Sequence, residues 1–339
     1  MPMSPASDAS RFDDGSKVKD VMPNLTVVLA TYNGVRWLSE LLNSVARQTL
    51  APARLAILDD ASTDGTWELV RDAAVLGGQT VAGRQEANEG AVRTFERLLS
   101  MVDTEYFALC DQDDVWLPDK LEKSVSLLAW SGADLVYTDL RVVDEDLSEL
   151  APSMWRLSNI APVTGRALVP LILKNSVTGC TVVGRTSLLW KALPFPPGIP
   201  MHDWWLGLVA ACGNGIAPLR EATVLYRQHG GNKVGAARFG YAGLRSRLDR
   251  RGAQLGTYLQ DRLGARLALI DGLQERGLMS RRAFLAWFYR RTPLMRFLLN
   301  LVYLAYTATH AGMLGFRNLV VDWVLTCLPL SSSHKGVAT

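Results

Sequence analysis

The sequence predicts an α/β fold: a mostly parallel sheet flanked by helices, followed by a C-terminal helical region with an expected membrane contact. Three observations carry this. Short apolar runs at residues 25–30, 55–58, 106–110 and 135–138 each stop at polar or acidic residues. Stretches with helical spacing lie between the first runs. Near residue 236 the alternation gives way to Arg-rich helical sequence. Strands that alternate with helices over short links pair in parallel and are covered on both faces.

The elements follow in chain order. Residues 1–23 are rich in Ser, Asp and Pro, lack the apolar run of a secretory signal and read as a loose tail. The run LTVVLA (25–30) is ended by TYNG, after which Leu38, Leu41, Leu42 and Val45 recur at helical spacing. LAIL (55–58) then runs into Asp59 and Asp60. ASTDGT marks the start of a helix over 66–75, and another is predicted over 90–101 with Val92, Phe95, Leu98 and Leu99 on one face. Residues 106–110 lead into DQDD, and 135–138 into Asp139. Ligands of open α/β sheets sit beyond the carboxyl ends of the strands, and three of those ends carry acids. Residues 150–200 read mainly as loop, with an apolar segment at 169–173, a strand at 180–183 and the cluster PFPPG at 194–198. A helix over 202–212 and a strand at 224–226 precede RQHGGN. This divides the chain into a tail (1–23), an α/β domain (24–236) and a helical region (237–339).

Composition narrows the function. A 339-residue chain with 48% apolar and 20% charged residues is long enough for a buried core and is not disordered throughout. Thirty-six basic against 33 acidic residues give a net charge of only +3, which argues against nucleic acid as a partner. The charge is uneven, with twelve arginines and four acids between 240 and 296. Such a stretch suits anionic lipid, an acidic substrate or a solvated face. Residues 297–316 carry no formal charge between Arg296 and Arg317 and are long enough to span a membrane. The polar Asn300, Thr307, Thr309 and His310 leave an interfacial helical hairpin or a core helix open as well. Four Cys without CxxC spacing indicate neither a zinc knuckle nor a disulfide framework.

The most informative stretch is CDQDDVWLPDKLEK, residues 110–123. Asp111 and Asp113 flank Gln112 directly after an apolar run, and alternate residues of an extended segment share a face, so both carboxylates can point at one ion. Hard oxygen ligands suit Mg²⁺ or Mn²⁺. Acids after a strand are also common as helix caps, and Asp114 and Asp119 fit that reading equally well.

Seven blocks in order resemble glycosyltransferase family 2 over roughly residues 24–236. They are VVLATYNGVRWLSELLNSVARQT, ILDDASTDGT, NEGAVRTFE, DQDDVWLPDKL, TGC, HDWW and YRQHGGN. The wording of DQDDVWLPDKLEK and YRQHGGN is most similar to bacterial rhamnosyltransferase-like members. The resemblance implies the GT-A nucleotide-sugar-binding fold and an inverting, metal-dependent transfer from a dTDP- or UDP-sugar. The implied acceptor is a glycan or lipid-linked glycan of cell-surface polysaccharide. It implies a cytoplasmic enzyme, peripheral or integral at the inner face of the cell membrane.

Carried onto this chain, the resemblance places Thr31 and Tyr32 at the nucleotide pocket and Asp60 on the pyrimidine imide N–H, a donor that an acceptor-only carboxylate suits. Asn88, Gly90 and Arg93 match the segment that closes over the nucleotide. Asp111 lies toward the ribose and metal waters, and Asp113 binds the metal. Asp203 matches the catalytic base, with His202 where the family often has Glu. Gly179, His202, Trp204 and Arg227 are candidates for acceptor or loop contacts, Arg227 through a phosphate. His229 matches the late loop at the metal and diphosphate end. The QxxRW motif of processive members is absent, which predicts single-sugar addition. A nucleotidyltransferase and a catalytically silent membrane scaffold are the alternatives. The first lacks a basic Gly-rich phosphate loop, and the intact acids oppose the second.

Overall fold

The computed structural model describes residues 24–76, 79–230 and 252–278. Its first half is a parallel block. β1 (Leu25–Thr31) pairs in parallel with β2 (Arg54–Asp59) on one side and β4 (Tyr106–Asp111) on the other, and β3 (Thr80–Arg84) extends the edge beyond β2. The crossovers are α1 (Val35–Ala46), α2 (Thr66–Leu76) and α3 (Ala91–Ser100). β1 and β4 are buried almost throughout, as central strands covered by helices must be. Their register sets Thr31 opposite Asp59 and Ala30 opposite Asp111. Three of the predicted polar ends therefore lie side by side at one rim of the sheet.

The second half is mixed. It contains β5 (Val115–Trp116), α4 (Lys120–Ser131), β6 (Leu135–Val143), β7 (Glu149–Ala151), α5 (Met154–Leu157) and α6 (Leu168–Leu173). A 3₁₀ turn (Gly179–Thr181), β8 (Val183–Arg185), α7 (Thr186–Ala192), α8 (His202–Cys212), β9 (Ile216–Arg227) and α9 (Gly252–Glu275) complete it. The strand order is β3-β2-β1-β4-β8-β6-β9-β5, with β7 on the side of β6. β8 runs antiparallel to both β4 and β6, and β9 runs parallel to β6. The parallel arrangement expected from the sequence thus describes the first four strands, and the three-residue β8 reverses direction beyond them. Gly184 makes that insertion possible, because a Cβ there would lie 2.5 Å from the Phe107 ring.

Two expected segments differ in detail. β3 carries no apolar run because it is an edge strand with partly exposed residues throughout, so hydrophobic patterning does not reveal it. The strand expected at 180–183 is a 3₁₀ turn followed by β8, and the apolar segment at 169–173 is α6.

Apolar side chains pack on both faces of the sheet in two clusters. α9 joins one of them: Leu269, Ile270 and Leu273 are fully buried, and Arg266 donates to the Leu173 carbonyl. Gly272 lets the helix approach Pro196, where a Cβ would sit 2.4 Å from the proline ring. Part of the sequence after residue 236 therefore completes the core of the α/β unit. No helix among the described residues is long and apolar enough to cross a membrane, and residues 297–316 lie outside the described residues.

Candidate active site

The rim formed by the ends of β1, β2 and β4 is organised by side chain-to-backbone bonds. Thr31 donates to Asp59, whose carboxylate also accepts from the Ser62 hydroxyl and amide. The turn after β1 spends three successive amides on the loop after β2: Asn33 to Ser62, Gly34 to Thr66 and Val35 to Asp64. Asn33 holds a φ of 48°, a left-handed conformation that Asn tolerates better than most residues. Tyr32 is left 44% exposed above this turn. Its backbone N–H and C=O both pair with the Gln112 side-chain amide at 2.8 Å, which ties the turn after β1 to the middle of DQD. Gly34 leaves room for that amide, since a Cβ would lie 2.2 Å from Gln112 Oε1.

Asp111 and Asp113 are half-buried, while Asp114 is fully buried. Asp113 Oδ2 lies 2.9 Å from His229 Nε2, which brings the end of β9 onto the acid loop. Asp111, Asp114 and Cys180 present ligand atoms within 4.8 Å of one another. Burial, reinforced by the charges of Asp113 and Asp111, pushes the Asp114 carboxyl well above the usual carboxylate range. Burial likewise raises the Cys110 and Cys180 thiols. Lys120 lies fully buried nearby, 4.2 Å from the Trp116 ring centroid, and burial lowers it to about 8. Tyr226 is pushed upward by burial and then by the same acids. Asp111 thus groups with Asp114 and Cys180, while Asp113 pairs with His229; the carboxylate oxygens and imidazole nitrogen of Asp111, Asp113 and His229 are donors of the kind a divalent cation takes.

Asp203 opens α8 and is 5% exposed. Burial raises it to about 6, against hydrogen bonds from the Trp204 and Gly179 amides and the Asn175 side chain that pull it down. Its Oδ1 accepts from Trp204 N–H at 2.5 Å and from Asn175 Nδ2 at 3.1 Å. Gly179 is packed so closely that a Cβ would lie 3.2 Å from His202 Nε2 and 3.6 Å from Asp203 Oδ2. The next residue is Cys180, which faces Asp111 and Asp114. The turn Gly179–Thr181 is therefore a shared wall between the DQDD loop and the Asp203 carboxylate.

The remaining expected residues divide between loop anchors, surface pairs and buried supports. Asp60 accepts from the Glu89 and Gly90 amides and from Gln85, so it anchors the loop before α3 and keeps about one of a carboxylate's four lone-pair sites for a ligand. Gly90 adopts a φ of 84° there, and Asn88 is exposed beside it. Arg93 is not brought to the acids: it pairs with Glu96 at 2.7 Å and lines a groove of about 590 Å³ with Arg97, Leu193 and Pro194. His202 is buried and stacked on Phe95 at 4.0 Å, so it supports α8 from below. Trp204 is half-buried with its indole N–H on the Leu171 carbonyl. The expected phosphate role of Arg227 is not what the structure shows, because its guanidinium is buried and bonded to protein acceptors. Gln112 and Asn175 escape a reading of the sequence. Gln112 had a signal in its place between two acids.

The arrangement matches known proteins. The model of the family described as glycosyl transferase family 2 matches residues 26–193. The dTDP-rhamnosyl transferase RfbG of Shigella flexneri is 28% identical over 221 residues, 61% of this chain and 74% of the relative. An uncharacterized protein of Mycobacterium tuberculosis is 30% identical over 259 residues, covering 74% of this chain and 70% of its own. Staphylococcus aureus TarS 1–349, solved with UDP-GlcNAc, superposes with a TM-score of 0.55 at 16% identity over 89% of this chain and 90% of that one. The mannosyltransferase PcManGT of Pyrobaculum calidifontis, solved with GDP-Man and Mn²⁺, gives 0.51 at 18% identity over 90% and 81%. The sheet and its flanking helices are those of the GT-A fold. The chain belongs to glycosyl transferase family 2 and is a glycosyltransferase.

Proposed function

We propose that this enzyme transfers a single sugar, rhamnose or a related hexose, from a dTDP- or UDP-sugar to a glycan or lipid-linked acceptor during cell-surface polysaccharide synthesis. The observation that supports this is the turn Gly179–Thr181, where Gly179 packs against Asp203 and the adjoining Cys180 faces Asp111 and Asp114 of the acid loop. The named activity of the Shigella relative supports the donor. The Arg-rich stretch after residue 240 supports delivery to an anionic membrane surface, where a lipid-linked acceptor lies.

In this reading Asp113 and His229, which lie 2.9 Å apart, would hold Mg²⁺ or Mn²⁺, with Asp111 toward the ribose and the metal's waters. The ion's contribution is to neutralise charge on the departing nucleoside diphosphate. The exposed Tyr32 borders the nucleotide, and Asp60 offers its remaining acceptor site to the base. Asp203 takes the proton of the acceptor hydroxyl as that oxygen attacks the anomeric carbon from the face opposite the diphosphate. Its position near pKa 6 suits this work, since it is a stronger base than an ordinary carboxylate and is still ionised at neutral pH. The test is turnover of dTDP-rhamnose and UDP-sugars with and without EDTA, then with Mn²⁺ restored, in the parent chain and in Asp113→Ala. A loss of on the order of 10² or more is expected for each perturbation. Full turnover in EDTA and in the variant overturns the assignment.

A further inference from the structure

We propose that Arg227 is a positioning residue that holds Asp113 and His229 in place at the metal end of the site. This rests on the metal reading above. The Arg227 side chain is 1% exposed, and a guanidinium that far from water is tolerated only where its donors are paired. The pairing reaches three separate segments. Nε donates to the Asp113 carbonyl at 3.0 Å, Nη2 to Glu40 on α1 at 2.5 Å, and Nη1 to the Glu145 carbonyl in the β6–β7 turn. Its own backbone N–H donates to Asp114 at 3.2 Å. The guanidinium also lies 4.3 Å from the Trp37 ring centroid, and Trp37 packs 5.7 Å from the His229 ring.

One residue thus clamps the backbone of the acid loop, while the residue two further along presents its imidazole to Asp113. The planar fork of arginine can serve three acceptors in fixed directions, whereas the single ammonium of lysine cannot. A phosphate-binding arginine would need these donors aimed into the cleft, and the structure spends them on protein oxygens.

The experiment measures Mn²⁺ affinity by electron paramagnetic resonance and UDP or dTDP affinity in EDTA by calorimetry, on the full chain. The variants are Arg227→Lys, Glu40→Gln and Asp113→Ala, each checked for folding by circular dichroism. Arg227→Lys is expected to weaken Mn²⁺ binding by roughly 10- to 100-fold, as loss of a ligand's supporting partner does, with metal-free nucleotide affinity within about twofold. Glu40→Gln, which removes the charge paired with the guanidinium, is expected to weaken Mn²⁺ in the same direction by about threefold or more. That second variant decides between the roles if Arg227→Lys does not fold. A phosphate role predicts the reverse, with Glu40→Gln releasing the guanidinium and tightening the diphosphate. The positioning role is overturned if Asp113→Ala loses Mn²⁺ while the folded clamp variants keep it. If Asp113→Ala itself retains parental Mn²⁺ affinity, the metal reading fails first and the clamp proposal with it.

Discussion

Replacing Asp203 with Asn separates the chemistry of this carboxylate from its place in the fold. Burial lifts its pKa from 3.8 to about 6, so the folded protein holds a proton that the unfolded chain has released across that window. The group's contribution to stability is therefore full below the unfolded value and is lost as pH rises through the folded one. A shift of about two units corresponds to about 3 kcal/mol, of which about 2 falls between pH 4.5 and 7.5. Asn does not titrate. Urea denaturation of parent and Asp203→Asn at a series of pH values should give curves that diverge by about 2 kcal/mol over that span, with the parent losing ground as pH rises. In parallel, kcat/KM of the parent should fall on the acid side of about pH 6, and Asp203→Asn should lose on the order of 10² to 10⁴ in rate and lack that limb. Parallel stability curves, or an unchanged acid limb in the variant, would refute the reasoning about both burial and base.

Removing the Asn175 hydrogen bond with Asn175→Ala should move the same acid limb to higher pH, since that bond favours the ionised carboxylate; a rate–pH profile shows the shift. Gly184→Ala should cost about 1–3 kcal/mol in a denaturant titration, because its methyl meets the buried Phe107 ring at 2.5 Å. Leu273→Ala on α9 should destabilise the whole α/β unit by about 2–5 kcal/mol in one cooperative transition; an unchanged midpoint would mean that α9 is not part of that core.

The acids at the strand ends and the helices between them were legible because they are local: period, turn chemistry and side-chain type all act within a few residues. The ordering of the blocks was enough to point to a GT-A glycosyltransferase. The edge strand β3 and the short elements between 150 and 200 were not legible, since their stability comes from partners distant in sequence. The same distinction runs through the site. Asp111 and Asp113 announce themselves in one tripeptide, but Asp203 lies far along the chain, and only the turn at Gly179–Thr181 shows that the two share a wall. Arg227 reads from sequence as a phosphate-binding cation beside glycines. In the fold it is a buried clamp, because burying a guanidinium requires acceptors from three segments that only folding brings together. By itself the sequence determined which chemical groups are present and at which strand ends they stand. The tertiary structure decided which of them stand near one another and which are bonded within the fold, because hydrogen-bond acceptors and burial are properties of neighbours in space.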